Sequence, residues 1–269
     1  VIDKPYLALG ADLSPQEQMT VLSLLGLSDI NVDDYDIISI TNADEHEYLD
    51  KYLDASIIGT RALSSVLVVG KEAGNGIHVT TKNISYCTEG MYRNALLTAG
   101  IEDADITVAG PFSISGTAAL VGAIKAYETM TGEEIDDENL DAANDELVLT
   151  GKLVEDIGDS EKAEDLMALV KQEVAENKLT SAEDIQNVVD QACDQLDIQL
   201  SEENQKQIAE LMKKIEGLDL DVDKLKDQAK DLYQKLEDLD FHVDKESVGN
   251  FFTRIIDAIV NFFQGLFGK

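Results

Sequence analysis

Over the first half of the chain the spacing of apolar residues switches repeatedly between strand-like and helix-like periods. Residues 6–10 read as a short strand. A helix follows: Ser14 is placed to cap it, Pro15 takes its first position, and Glu17 closes a capping box. Its apolar side is Met19, Leu22 and Leu25, flanked by Val21 and Leu24, and Gly26 stops it. Residues 35–41 predict a second strand, after which Asn42 and Glu45 open a helix with Leu49, Tyr52 and Leu53 inward. Segments 62–70 and 77–82 flank Gly74-Asn75-Gly76, a turn that predicts a β-hairpin. Thr88 caps a helix carrying Met91, Tyr92, Ala95, Leu96 and Ala99, residues 106–109 read as a strand, and 116–130 as a helix stopped by Gly132. Strands and helices in alternation predict a mixed sheet packed by helices.

From residue 133 onward the strand period disappears. Leu140, Ala143 and Leu147 begin a series of helical stripes, continued by Leu166, Leu169, Val170 and Val174. Ser181 with Asp184 starts a helix striped by Ile185, Val188, Val189, Ala192 and Leu196. Ser201 starts another with Ile208, Leu211, Met212 and Ile215, ended by Gly217, and Asp223 caps a further one with Leu225, Leu232 and Leu236. Stripes this wide, interrupted by caps, fit a bundle of short helices better than a coiled coil. The expected fold class is therefore α/β, a mixed sheet with helices, followed by an all-α helical bundle domain. The divisions fall at 1–131, 132–246 and 247–269.

The final segment has a pattern of its own. Phe251, Ile255, Ile259, Phe263 and Phe267 form one i, i+4 row, Phe252, Ile256 and Val260 a second, and Phe262 and Leu266 widen the face. Arg254, Asp257, Asn261 and Gln264 form a narrow polar strip, and a central Arg/Asp pair argues for a helix lying flat in an interface rather than spanning a membrane. Five of the seven phenylalanines fall in these last nineteen residues. The body ahead of them carries a formal charge of about −34, against about +1 for the tail. The candidate attachment residues are Phe251, Phe252, Ile255, Ile256, Ile259, Phe262, Phe263, Leu266 and Phe267. Their expected partners are a membrane interface, another protein or a second copy of the chain; docking on the protein's own bundle is the bland alternative.

Charge and composition narrow the class. With 54 acids against 21 bases, nucleic acid is excluded as a partner, since its phosphates would be repelled. At 44% hydrophobic residues the chain builds a core despite the charge. Two cysteines, Cys87 and Cys193, are too few for a disulfide scaffold, and Cys193 falls on an apolar helical side. Val1 reads as a mature start behind a removed signal peptide.

Several phrases resemble the YpuA-like family of secreted proteins from Firmicutes, a family of unknown function. They are Leu7-Ala-Leu-Gly-Ala-Asp-Leu13, Ile58-Gly-Thr-Arg61, the run from Asn94 to Gly100, Ser115-Gly-Thr-Ala-Ala-Leu120 with Lys125-Ala-Tyr-Glu128, and Leu211-Met-Lys-Lys-Ile215. The resemblance covers nearly the whole chain and implies an extracytoplasmic setting. It carries over no catalytic or ligand residues.

Candidate chemistry is sparse. Residues 110–117 join a predicted strand to a predicted helix, and backbone N–H groups there, with Ser113, Ser115, Gly116 and Thr117, form a candidate anion-binding loop. The P-loop lysine is missing, and the competing reading is a helix start with a glycine for close packing. His46, His78 and His242 have no partner at metal-ligand spacing. Asp219-x-Asp221-x-Asp223 fails as a calcium loop, because Lys224 and Lys230 replace its glycine and its bidentate acid. No cofactor and no metal are called for. The expected role is a non-catalytic extracellular interaction or scaffolding module, secreted or associated with the cell envelope. The alternative is an extracellular enzyme or small-anion-binding protein using the 110–117 loop.

Overall fold

The computed structural model describes residues 4–29 and 31–218, together with 220, 221, 223 and 225. β1 (Tyr6–Gly10) is apolar on both sides of its pleat, which suits an interior strand. β2 (Asp36–Ile40) pairs with it in parallel, Gly10 opposite Ile40, and β3 (Ser65–Gly70) pairs antiparallel on its other side, Ala8 opposite Val66. β4 (Ile77–Ile84) and β5 (Ala104–Ile114) complete a sheet in the order β2-β1-β3-β5-β4. Only β3 runs against the other strands.

The hairpin expected across Gly74-Asn75-Gly76 does not form as a pair, because β5 lies between β3 and β4. The reversal itself is present, held by Asp103 Oδ1, which accepts from the N–H of Gly74 at 3.1 Å and of Gly76 at 2.8 Å. Burial explains the insertion. Val108 and Ala109 of β5, on opposite sides of the pleat, are both fully buried. A strand apolar on both faces belongs in the sheet interior, whereas β4, with exposed His78, Thr80 and Lys82, suits an edge. β5 also extends beyond the expected 106–109.

One face of the sheet presents Tyr6, Ala8, Ile40, Val66, Val68, Ile106 and Val108 to the main core. α5 (Thr117–Thr131) lies across it, and α2 (Asn42–Leu49) and α3 (Ala55–Ile58) pack on α5. The approach is close at Gly122, where a Cβ would meet the Ala8 Cβ at 2.8 Å and the Val66 Cγ1 at 3.0 Å. α1 (Pro15–Leu24) covers part of the opposite face, packing Val21 with Leu7, Leu25, Leu27 and Ala109. The Ser14–Glu17 capping box forms as expected. For α2 the cap is Thr41, paired with Asp44, rather than Asn42. The Asn42 amide is engaged elsewhere, donating to Glu45 and to the Gly59 carbonyl.

The helical part comprises α6 (Asp137–Ile157), α7 (Ser160–Asn177), α8 (Ala182–Leu196) and α9 (Glu202–Glu216). α6 packs on α7, α7 on α8, α8 on α9, and α9 returns to α6, closing a bundle. Asp159, Ser181 and Ser201 cap the last three helices. Mixed sheet and helical part follow one another as the sequence predicts, yet they are not separate bodies: residues 1–229 form one compact unit. α4 (Glu89–Thr98) joins them, packing on β4 at one side and on α6 and α7 at the other.

That joint contains a charged pair with no access to water. Lys171 of α7 and Glu146 of α6 are both fully buried. Lys171 Nζ donates to Glu146 Oε1 at 2.9 Å, to the Asn94 carbonyl at 3.0 Å and to Thr98 Oγ1 at 3.2 Å. Three ammonium protons thus meet three acceptors. Thr98 in turn donates its hydroxyl proton to the second oxygen of Glu146. Lys171→Met is expected to destabilise the fold by about 3–5 kcal/mol in urea unfolding, because it leaves the Glu146 charge buried alone. Pairing it with Glu146→Leu should restore most of that loss.

Cys87 and Cys193 are both free and buried. Burial pushes the Cys87 thiol up to about 12 and the Cys193 thiol up to about 11. Both are expected to resist alkylation in the native protein and to react after unfolding without reductant.

Candidate functional site

Four strands share one direction, so β1, β2, β4 and β5 end at the same edge of the sheet, beside the start of β3. In open α/β sheets this carboxyl edge is where ligands bind. α1, α2, α4 and α5 each begin a few residues beyond those strand ends, bringing four helix N-termini to it. The candidate loop belongs to this edge.

On the β1 side, backbone and side chains are knitted together. The Asp12 N–H donates to the Ala62 carbonyl at 3.1 Å, and the Ala62 N–H returns a bond to Asp12 Oδ2 at 2.8 Å. Arg61 Nη2 donates to the Asp12 carbonyl at 3.1 Å and to Glu17 Oε1 at 2.7 Å. The Arg61 guanidinium and the Ser14 N–H hold the Glu17 carboxyl below its usual range. Ser65 Oγ accepts from the Gly10 N–H at 3.0 Å.

On the β5 side, α5 starts at Gly116, whose φ of +92° favours glycine. A Cβ there would also meet the Tyr92 hydroxyl at 2.3 Å. That hydroxyl donates to the Gly116 carbonyl at 2.6 Å. Gly116 has no side chain with which to cap the helix. Ser64 supplies the cap from a distant segment, its Oγ accepting from the Ala119 N–H at 2.9 Å. Thr117 Oγ1 donates to Glu45 Oε1 at 2.7 Å, and Asn42 Nδ2 donates to Glu45 Oε2 at 3.0 Å. Glu45 is 1% exposed, and burial pushes its carboxyl above the usual range. The anionic group at the start of α5 is thus a carboxylate of the protein itself.

Of the four loop residues, the structure brings Ser115, Gly116 and Thr117 together, with Ser115 Oγ 3.4 Å from Thr117 Oγ1. Ser113 lies on a projecting segment. Between the pairs Lys82↔Ala109 and Ile84↔Ile114 the β4 strand advances two residues and β5 five, so 110–113 bulge from the sheet. Asn83, at φ +60°, pins the bulge by donating to the Gly110 carbonyl at 3.1 Å. Phe112 at its crest is 48% exposed.

The histidines are engaged elsewhere. His46 Nδ1 lies 2.6 Å from Asp50 Oδ1, which raises its basicity, and His78 Nε2 lies 2.9 Å from the Asn75 carbonyl. Among the described residues no group of three or more His, Cys, Asp or Glu is placed to hold a metal ion. His242 and the apolar residues Phe251, Phe252, Ile255, Ile256, Ile259, Phe262, Phe263, Leu266 and Phe267 lie outside the described residues. The Thr117 hydroxyl and the Ala119 N–H are already bonded, and Asp12, Asp44 and Glu45 add negative charge.

Sequence reading missed Glu45 as a buried group and Ser64 as a cap. Glu45 precedes Leu49 and Leu53 at four-residue steps, so it continues their inward stripe. Ser64 gave no local signal, since its partner lies 55 residues away.

Residues 9–232 match a family described as a protein of unknown function, DUF1002. The chain belongs to that family. It is similar to the uncharacterized protein YpuA of Bacillus subtilis (strain 168), 40% identical over 261 residues that cover 95% of this chain and 88% of the relative. No solved structure matches. Three of the phrases that resemble the YpuA-like family, Leu7 to Leu13, Ile58 to Arg61 and Ser115 to Leu120, meet at the carboxyl edge. The first two bond to each other there, and the third is capped by Ser64.

Ser64→Ala is expected to cost about 1–3 kcal/mol, because it leaves the buried Ala119 N–H unpaired. Ser113→Ala, on the projecting segment, should stay within about 0.5 kcal/mol. Urea midpoints of the two variants check both.

Proposed function

We propose that this protein is a non-catalytic interaction or scaffolding module of the cell envelope, attached through its apolar C-terminal segment. The observation that carries the reading is the contrast between an acidic body and the apolar face running from Phe251 to Phe267. The described body buries its own apolar surface well. The large hydrophobics it exposes are Met19, Ile37 and Phe112, on three different elements. Attachment therefore falls to the tail. An acidic, cysteine-poor composition agrees with an extracytoplasmic setting. The reading as an enzyme or anion binder at 110–117 has less support, because the Thr117 hydroxyl is turned onto Glu45 and the Ala119 N–H beside it onto Ser64.

An apolar face of several hundred Å² corresponds to roughly 10 kcal/mol before ordering costs, too much to leave in water. The full chain is expected to self-associate or to bind neutral lipid vesicles in sedimentation, and a chain ending at Glu246 to do neither while melting at nearly the same temperature. A truncated chain that unfolds would show the tail to be part of the core. One that still associates would place attachment elsewhere.

A further inference from the structure

We propose that Glu45 acts as a proton-operated latch, holding α2 against the start of α5 more tightly as the pH falls. Its geometry is unusual for an ionised group. The carboxylate is 1% exposed, and both of its hydrogen bonds come from neutral donors, Thr117 Oγ1 at 2.7 Å and Asn42 Nδ2 at 3.0 Å. The bonds join two helices, and Asn42 also reaches the Gly59 carbonyl at 3.1 Å, drawing the end of α3 into the same assembly. A buried carboxylate with uncharged partners is worse off ionised than protonated.

Of the charged groups on the surrounding elements, His46 favours the ionised form and Asp12 opposes it, and burial outweighs both. On α2, Asp44 accepts from the Thr41 N–H and lies 3.0 Å from Lys125 Nζ of α5, and His46 is turned to Asp50. From the turn after β1, Asp12 adds a like charge. From the segment before β3, Arg61 is held by Glu17 and the Asp12 carbonyl. Each nearby cation is bonded to another acceptor.

Burial raises the Glu45 carboxyl above its ordinary value of 4.5, so the folded protein takes up this proton at a pH where the opened segment does not. The closed state is then favoured progressively as pH falls through the folded value. The gain is complete below the ordinary value and absent well above the folded one. Between those limits the opening constant changes by up to about tenfold per pH unit. α2 responds because its main packing is against α5 and α3.

Native-state hydrogen exchange on the full chain tests the latch. The protection factors of the α2 amides are compared with those of α8, on the far side of the bundle, between roughly pH 7.5 and 5. The ratio of α2 to α8 protection is expected to rise on acidification, by at most about tenfold per pH unit, and in Glu45→Gln to lose that pH dependence. A constant ratio in the wild-type protein, or an unchanged pH dependence in the variant, overturns the proposal. A carbon-13 titration of the Glu45 side chain decides the matter even if the variant does not fold. A midpoint above 4.5 supports the latch, and one at or below 4.5 refutes it.

Discussion

A buried ammonium group has to be met by acceptors on every side, and that requirement at Lys171 fixes how the two halves of this chain fit together. Its acceptors come from α4 and α6, while the lysine itself is on α7. The three helices can satisfy the charge only in one mutual arrangement. α4 is also the helix that packs on edge strand β4, so the position of the helical part is passed directly to the sheet. Sliding the helices apart would leave a buried charge without its partner, which is strongly destabilising.

The same economy of charge recurs at the carboxyl edge. In a chain so rich in acids, two carboxylates face helix starts, Glu45 fully buried and Glu164 half-buried. Glu45 sits at α5, and Glu164 accepts from Thr88, the cap of α4. Gly90 leaves space for Glu164, whose Oε2 would lie 2.2 Å from any added Cβ. The positive end of each helix dipole compensates part of the desolvation cost, yet burial still raises both carboxyls. At this edge, where other α/β proteins receive a ligand, the Thr117 hydroxyl and the Ala119 N–H are bonded to the protein's own Glu45 and Ser64.

What could be read from the sequence was whatever depends on near neighbours. Ser14, Thr88, Ser181 and Ser201 cap the helices they were expected to cap, since a cap and its N–H lie three residues apart. Gly132 ends α5 for the same local reason. Strand pairing is a long-range choice, so the turn at residues 74–76 was legible and the insertion of β5 beside it was not. At the candidate site, Thr117 and Gly116 were found as a helix start, but Glu45, which bonds Thr117, and Ser64, which bonds the Ala119 N–H, come from segments more than fifty residues distant. The family resemblance rested on phrases scattered along the chain and did not say that three of them meet.

The central claim is that the sheet and the helical part are one cooperative unit. Seven of the eight tyrosines precede residue 131, so near-UV tyrosine signal follows the sheet-bearing part, while far-UV circular dichroism is dominated by the helices. Urea unfolding followed by both signals is predicted to give coincident transitions with one midpoint and one slope. A helical signal lost at lower urea, with the tyrosine signal still native, would contradict the account.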